Sequence, residues 1–296
     1  MCCKAHRPVF SVFKVFLPAK LYSMRTFLKL IFLASTAVAC DYISDPVKSQ
    51  TGLPGGNQEI KRVVLLEEFT GHQCQNCPDA HSAANVLKDQ YGDQLVIVAI
   101  HAGNFANVSA DYPYDFRTPA GNELFSFFNG FAVPSGMINR MDYSPSRTQL
   151  KTFSSWSSLI AEEINKEPDV DIKISKDYNT QNRQLTVTIQ VKGLKTQIGN
   201  YRLSVFLTES GIIAPQKHGS QRIENYIHNS VLRAALNGTY GEPVFVGGIE
   251  INKIETHTYS ITLQSEWVAE NCELIAFVYD QDSYYVHQAA RKYVRQ

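Results

Sequence analysis

Hydrophobic and polar positions change rhythm along this 296-residue chain. Residues 63–69 (VVLLEEF) and 95–101 (LVIVAIH) are short, nearly continuous apolar runs rich in β-branched types, which predicts two buried strands. Between them Ala80, Ala83, Ala84, Val86 and Leu87 form one apolar face at helical spacing. Pro78 suits the first turn of that helix, where its missing N–H costs nothing, and Gly92 ends it. A second helical pattern, with Leu150, Phe153, Trp156, Leu159, Ile160 and Ile164, covers residues 149–166. From Asp169 the period drops to two. DVDIKISKD, RQLTVTIQVKG, YRLSVFLTES, ETHTYSITL, ELIAFVYD and YYVHQAA alternate or cluster as the strands of a sandwich do. One segment, residues 226–244, breaks the alternation. Val231, Leu232, Ala235 and Leu236 there predict one face of a short helix ended at Gly238, beneath a long crossover that His228, Asn229 and Arg233 line or satisfy.

The expected architecture is therefore an α/β domain over residues 59–167 followed by an all-β sandwich domain over 168–296, with Glu167-Pro168 at the boundary. Residues 24–40 (MRTFLKLIFLASTAVAC) carry a positive start, an apolar stretch too short to span a bilayer, and small residues before Cys40. Residues 1–39 are read as a signal peptide whose translation starts at Met24. Residues 40–58 contain two prolines and a Gly-Gly pair and are read as a flexible tether.

Composition narrows the function classes. Lys+Arg and Asp+Glu both number 28, for a formal net charge of zero. Phosphate binding needs a local cationic excess, so nucleic acid is set aside. Six cysteines are too few for a disulfide scaffold. Two of them form Cys74-Gln75-Asn76-Cys77 between the first predicted strand and its helix, and a C-x-x-C in that context reads as a redox motif. A cysteine among unpaired N–H groups at a helix start is held as thiolate more easily, which makes Cys74 the attacking sulfur and Cys77 the resolving one. His72 is expected to add positive charge nearby. A static Cys74–Cys77 disulfide in an oxidising compartment is the alternative. Four zinc ligands are not in view, so no metal and no cofactor are expected. Cys272 reads as a small buried hydrophobe.

Further residues give the chain a family likeness. The strand–CxxC–helix–strand order, together with Phe131-Ala132-Val133-Pro134-Ser135, resembles the thioredoxin superfamily. That resemblance implies a thioredoxin-like fold, a cis-proline at Pro134 facing the cysteines, and a buried acid at Glu68, six residues before Cys74, that accepts the proton of Cys77. Thioredoxins usually carry Trp before the first cysteine and Gly-Pro between the pair, where Gln73 and Gln75-Asn76 stand here. Ala37-Val38-Ala39-Cys40 resembles a bacterial lipobox, which implies cleavage before Cys40 and acylation of it; cleavage at an A-x-A site is the alternative. With EEFTGHQCQNCPDAH, HNSVLRAALNGTYGE and NCELIAFVYDQDSYYVHQA, the chain resembles the 28-kDa outer-membrane-protein-related lipoproteins of Gram-negative bacteria. The resemblance implies an outer-membrane location with a membrane anchor at Cys40, facing the periplasm or the surface. Two functions follow as expectations: a thiol–disulfide oxidoreductase acting on exported proteins, or a non-catalytic lipoprotein whose sandwich binds a protein or glycan.

Overall fold

The computed structural model describes residues 60–142 and 149–295. The expected signal peptide, the Met24 start, acylation at Cys40 and the tether all lie outside these residues. The described chain is rich in β-strand and carries three α-helices.

β1 (Val64–Thr70) and β2 (Leu95–His101) are buried at every position and pair in parallel, Leu66 opposite Ile97. Strands covered on both faces read as unbroken apolar runs, which is why these two were legible. β3 (Ser135–Ile138) adds antiparallel on the far side of β1. α1 (Cys77–Tyr91) crosses between β1 and β2, with Pro78 in its first turn and Gly92 turning out at φ +55°. α2 (Pro119–Phe127) is capped by the Thr118 hydroxyl, which accepts the Gly121 N–H at 2.9 Å. α3 (Trp156–Glu163) is shorter than the pattern over 149–166 predicts. Lys151 instead exchanges two backbone hydrogen bonds with Gly136 (2.7 and 2.9 Å), so the start of that segment extends the edge of β3 rather than coiling.

The later strands are β4 (Val170–Tyr178), β5 (Gln184–Gly193), β6 (Gln197–Ile198), β7 (Tyr201–Glu209), β8 (Ile212–His218), β9 (Gln221–His228), β10 (Val231–Ala235), β11 (Glu242–Val244), β12 (Gly248–Ile249), β13 (Ile254–Thr262), β14 (Cys272–Asp280) and β15 (Val286–Tyr293). The largest sheet runs β15-β14-β7-β10-β2-β1-β3, with β11 beside β7. It is mixed: β10 lies parallel to β2 and antiparallel to β7. Strands from both sides of Glu167-Pro168 therefore share one sheet.

The helix expected over 231–236 is the strand β10 instead. Val231 faces Ala99 on one side and Glu209 on the other, and the Ser230 carbonyl accepts the Ala99 N–H at 2.8 Å. Two waiting strand edges outweigh a local helical pattern when the segment is apolar enough for either state.

Three apolar layers result. Leu65, Phe69, Val98, Leu124 and Phe128 pack with Phe206 and Phe277. On the opposite face of β1 and β2, Leu66, Ala80, Ala84 and Leu87 pack with Trp156 and Ile160. Further along, the β13-β5-β4 sheet supplies Val187, Ile189 and Val191 to a core shared with Leu203, Val205, Leu274 and Ala276 of β7 and β14. Among the described residues no helix is long and apolar enough to cross a membrane.

Candidate functional site

The end of β1 turns through Gly71-His72-Gln73 into Cys74, and Cys77 opens α1. A side chain at Gly71 would sit 2.5 Å from the Phe105 backbone, so the loop packs too closely for any Cβ. Cys74 and Cys77 are joined in a disulfide. The Val133–Pro134 bond is cis, and Cys74 Sγ lies 3.7 Å from the Val133 carbonyl oxygen. The disulfide and the cis Val133–Pro134 peptide therefore lie side by side. Phe131, two residues before Val133, is 91% exposed.

Access to the pair is narrow. Cys74 is 3% exposed and Cys77 fully buried, while Gln75 and Asn76 between them face solvent. The cover comes from the β8–β9 hairpin. Lys217 N–H donates to the His72 carbonyl (2.8 Å) and Gly219 N–H to the Gln75 carbonyl (2.9 Å). The buried Gln216 amide lies 3.3 Å from the Gly71 carbonyl and 3.1 Å from that of Cys74. No sequence signal links Gln216 to Cys74 across 142 positions.

His72 does not supply the positive charge expected of it. It is 1% exposed and stacks on Tyr112, with Nε2 2.9 Å from the Asn107 carbonyl. Burial holds its pKa below the usual histidine value, so the ring is neutral near pH 7.

Glu67 and Glu68 are both buried. Arg140 donates two hydrogen bonds of 2.7 Å to the Glu67 carboxylate. Glu68 has no cation of that kind. Its Oε1 makes no hydrogen bond and lies 3.5 Å from His81 Nε2. Burial alone pushes the carboxyl up to about 8, so it is protonated at neutral pH.

Around Glu68 lies a cluster that the sequence does not announce. His81, one helical turn after Cys77, has Nε2 2.8 Å from the Thr70 hydroxyl and Nδ1 2.7 Å from the Tyr226 hydroxyl. His101 stacks on Phe116 at 4.4 Å, and His228 lies 5.5 Å from His101, ring centre to ring centre. Burial lowers His81 to about 4 and His228 to about 3, and leaves His101 well below the ordinary value. The i+4 spacing from Cys77 to His81 is the one clue available beforehand. Among the described residues no group of histidines, cysteines and carboxylates is arranged to hold a metal ion. Cys272 is buried and unpaired, its thiol pushed up to about 12.

The family model described as outer membrane protein Omp28 matches residues 122–296. The chain belongs to the Omp28 family. Membership places it at the outer membrane. The matched region includes Pro134 and the whole β-rich second half, and begins after the cysteine pair. Among solved structures, HBP35 of Porphyromonas gingivalis is 15% identical and aligns over 79% of this chain and 76% of its own, with a TM-score of 0.60, which is a likeness of fold. A domain of the outer membrane lipoprotein Omp28 from Porphyromonas gingivalis is 22% identical over 43% of this chain and 89% of its own, with a TM-score of 0.31. No curated protein matches the chain.

Proposed function

We propose that this Omp28-family protein is an outer-membrane lipoprotein, anchored through Cys40, whose first half is thioredoxin-like and exchanges disulfides with exported proteins. The observation that carries this reading is Glu68. A buried carboxyl without a cation costs several kcal/mol when ionised, and an apolar residue would fill the place more stably. Its neighbour Glu67 has a full partner in Arg140, so burial of an acid on β1 does not by itself require an empty one. An isolated acid with a raised pKa, 3.5 Å from a histidine of the helix that Cys77 opens, is suited to giving and taking protons.

In this reading a substrate thiolate attacks Cys74, and the Cys74–Cys77 bond breaks. Cys77 leaves with the electron pair and takes the Glu68 proton. The helix N-terminus favours the negative charge that develops on sulfur. Exposed Phe131, beside Val133, offers an apolar ledge to an unfolded polypeptide.

The 3% exposure of Cys74 favours a second reading, in which the disulfide is structural and the protein binds a protein or glycan. Measuring the reduction potential of the folded chain separates the two. A potential above about −270 mV supports exchange, and one below about −300 mV supports a structural bond. In a Cys77→Ala variant, a mixed disulfide trapped on Cys74 is expected. An inert Cys74 sinks the oxidoreductase reading.

A further inference from the structure

The second half of the chain reaches into the site behind Glu68. Tyr226, on β9, is partly exposed, and its hydroxyl meets His81 Nδ1 at 2.7 Å. His81 Nε2 faces Glu68 Oε1 at 3.5 Å and the Thr70 hydroxyl at 2.8 Å. A cavity of about 30 Å³ is lined by Glu68, His81 and Tyr226, with His101 and His228 on its other walls. That is room for one water molecule, and the unpartnered Glu68 oxygen borders it. We propose that Tyr226 and His81 are positioning residues that carry protons between the buried Glu68 carboxyl and solvent, so that the hairpin of the second half completes the acid–base machinery of the cysteine pair.

The inference rests on the oxidoreductase reading for its purpose, and for its geometry on the hydrogen bond from Tyr226 to His81 and the 3.5 Å approach of His81 Nε2 to Glu68. When an external dithiol reduces Cys74–Cys77, its thiolate bonds to Cys74. Cys77 departs as thiolate and takes the proton of Glu68, leaving a carboxylate in a dry site. The second thiol of the reductant loses its proton to solvent and closes the reductant's own disulfide, releasing Cys74 as thiolate. While the pair stays reduced, Glu68, whose pKa lies near 8, recovers one proton from solvent at pH 7. Tyr226 can donate toward Nδ1 while Nε2 donates inward, and the tyrosine is reprotonated from solvent. A neutral imidazole passes a proton by exchanging tautomers and never holds a full charge in the low-dielectric interior. The other ionisable groups around the line are His101 and His228, both neutral by burial, with His72 and Arg233 beyond them, and the exposed Asp79, which lies 3.1 Å from His218.

The test uses the folded chain carrying Tyr226→Phe or His81→Gln, with Glu68→Gln as reference. Stopped-flow reduction by dithiothreitol is followed from pH 6 to 9, and the infrared band of the protonated carboxyl is titrated in parallel. Glu68→Gln identifies the band by removing it. Tyr226→Phe is expected to slow multiple-turnover reduction of a protein disulfide about tenfold at pH 7. It is also expected to raise the Glu68 midpoint above its wild-type value near 8, because the carboxylate loses an oriented donor. Unchanged rate and unchanged midpoint in Tyr226→Phe overturn the relay. Should His81→Gln fail to fold, Tyr226→Phe, which removes one partly exposed hydroxyl, decides alone. If the wild type turns over no disulfide, the oxidoreductase reading falls. The infrared midpoint then still decides whether Tyr226 and His81 govern the Glu68 proton.

Discussion

Glu67 and Glu68 are consecutive on β1, point to opposite faces of the same sheet, and meet opposite fates. Glu67 is locked by two 2.7 Å hydrogen bonds from Arg140, whose guanidinium lies against Phe128, Phe277 and Tyr279. Glu68 is left as an acid among histidines. Removing one partner of the first pair strands a buried charge, whereas removing both does not. Arg140→Met is therefore expected to lower stability by about 3–5 kcal/mol, with much of it recovered in the Glu67→Met/Arg140→Met double variant. Urea unfolding of Arg140→Met, Glu67→Met and the double variant measures this, and an additive double mutant contradicts it.

Glu68 gives stability a pH dependence of defined sign. Its folded pKa is near 8 against 4.5 in the unfolded chain, so the folded state binds the extra proton between those values. Stability from this group is fully present below 4.5 and is lost as pH rises through 8. The histidines are neutral in both states above about pH 7, so between roughly 7 and 8 Glu68 acts without them. Glu68→Gln is expected to flatten that limb of a plot of urea midpoint against pH.

On the acid side His72, His81, His101 and His228 work in the opposite sense. All four have folded pKa values held below 6.5 by burial, so the unfolded chain binds their protons first. Their contribution is present above 6.5 and falls as pH drops toward their folded values. Near pH 5 the unfolding reaction is expected to take up at least about two protons, three from His81, His101 and His228 less the one that Glu68 releases, with His72 adding to them. The slope of unfolding free energy against pH measures that number. Replacing His228 with Phe should lower it by about one.

The hairpin cover predicts a kinetic effect at the cysteines. Gln216→Leu removes the amide that bonds to the Gly71 and Cys74 carbonyls. A loss of about 1–3 kcal/mol is expected, together with faster reduction of Cys74–Cys77 by small thiols at the same pH. Equal reduction rates in the two proteins would show that the hairpin does not limit access.

What could be read beforehand, and what could not, divides by sequence distance. β1, α1 and β2 follow from local patterns, since buried strands and a helix start have strong local signatures, whereas the expectation for Pro134 comes from the family resemblance alone. Glu68 was legible as an acid by its place before Cys74. Its lack of a cation was not, because Arg140 sits on the left-handed turn after β3 and pairs with the neighbouring acid. The segment around Val231 misled because VLRAAL suits a helix face as well as a strand, and only the edges of β2 and β7 decide between them. His81 and Tyr226 meet across 145 positions, a contact that no periodicity encodes.

The position of β10 also bears on how the chain comes into being. Residues 231–235 fill the gap between β2 and β7, so a polypeptide ending near residue 167 would present β2 with a bare, apolar edge. Such an edge recruits other strands and invites aggregation. During biosynthesis that edge stays open until some 130 further residues have emerged, a count set by the interval from 101 to 231. A holding chaperone, or passage across a membrane before folding, would keep it from harm.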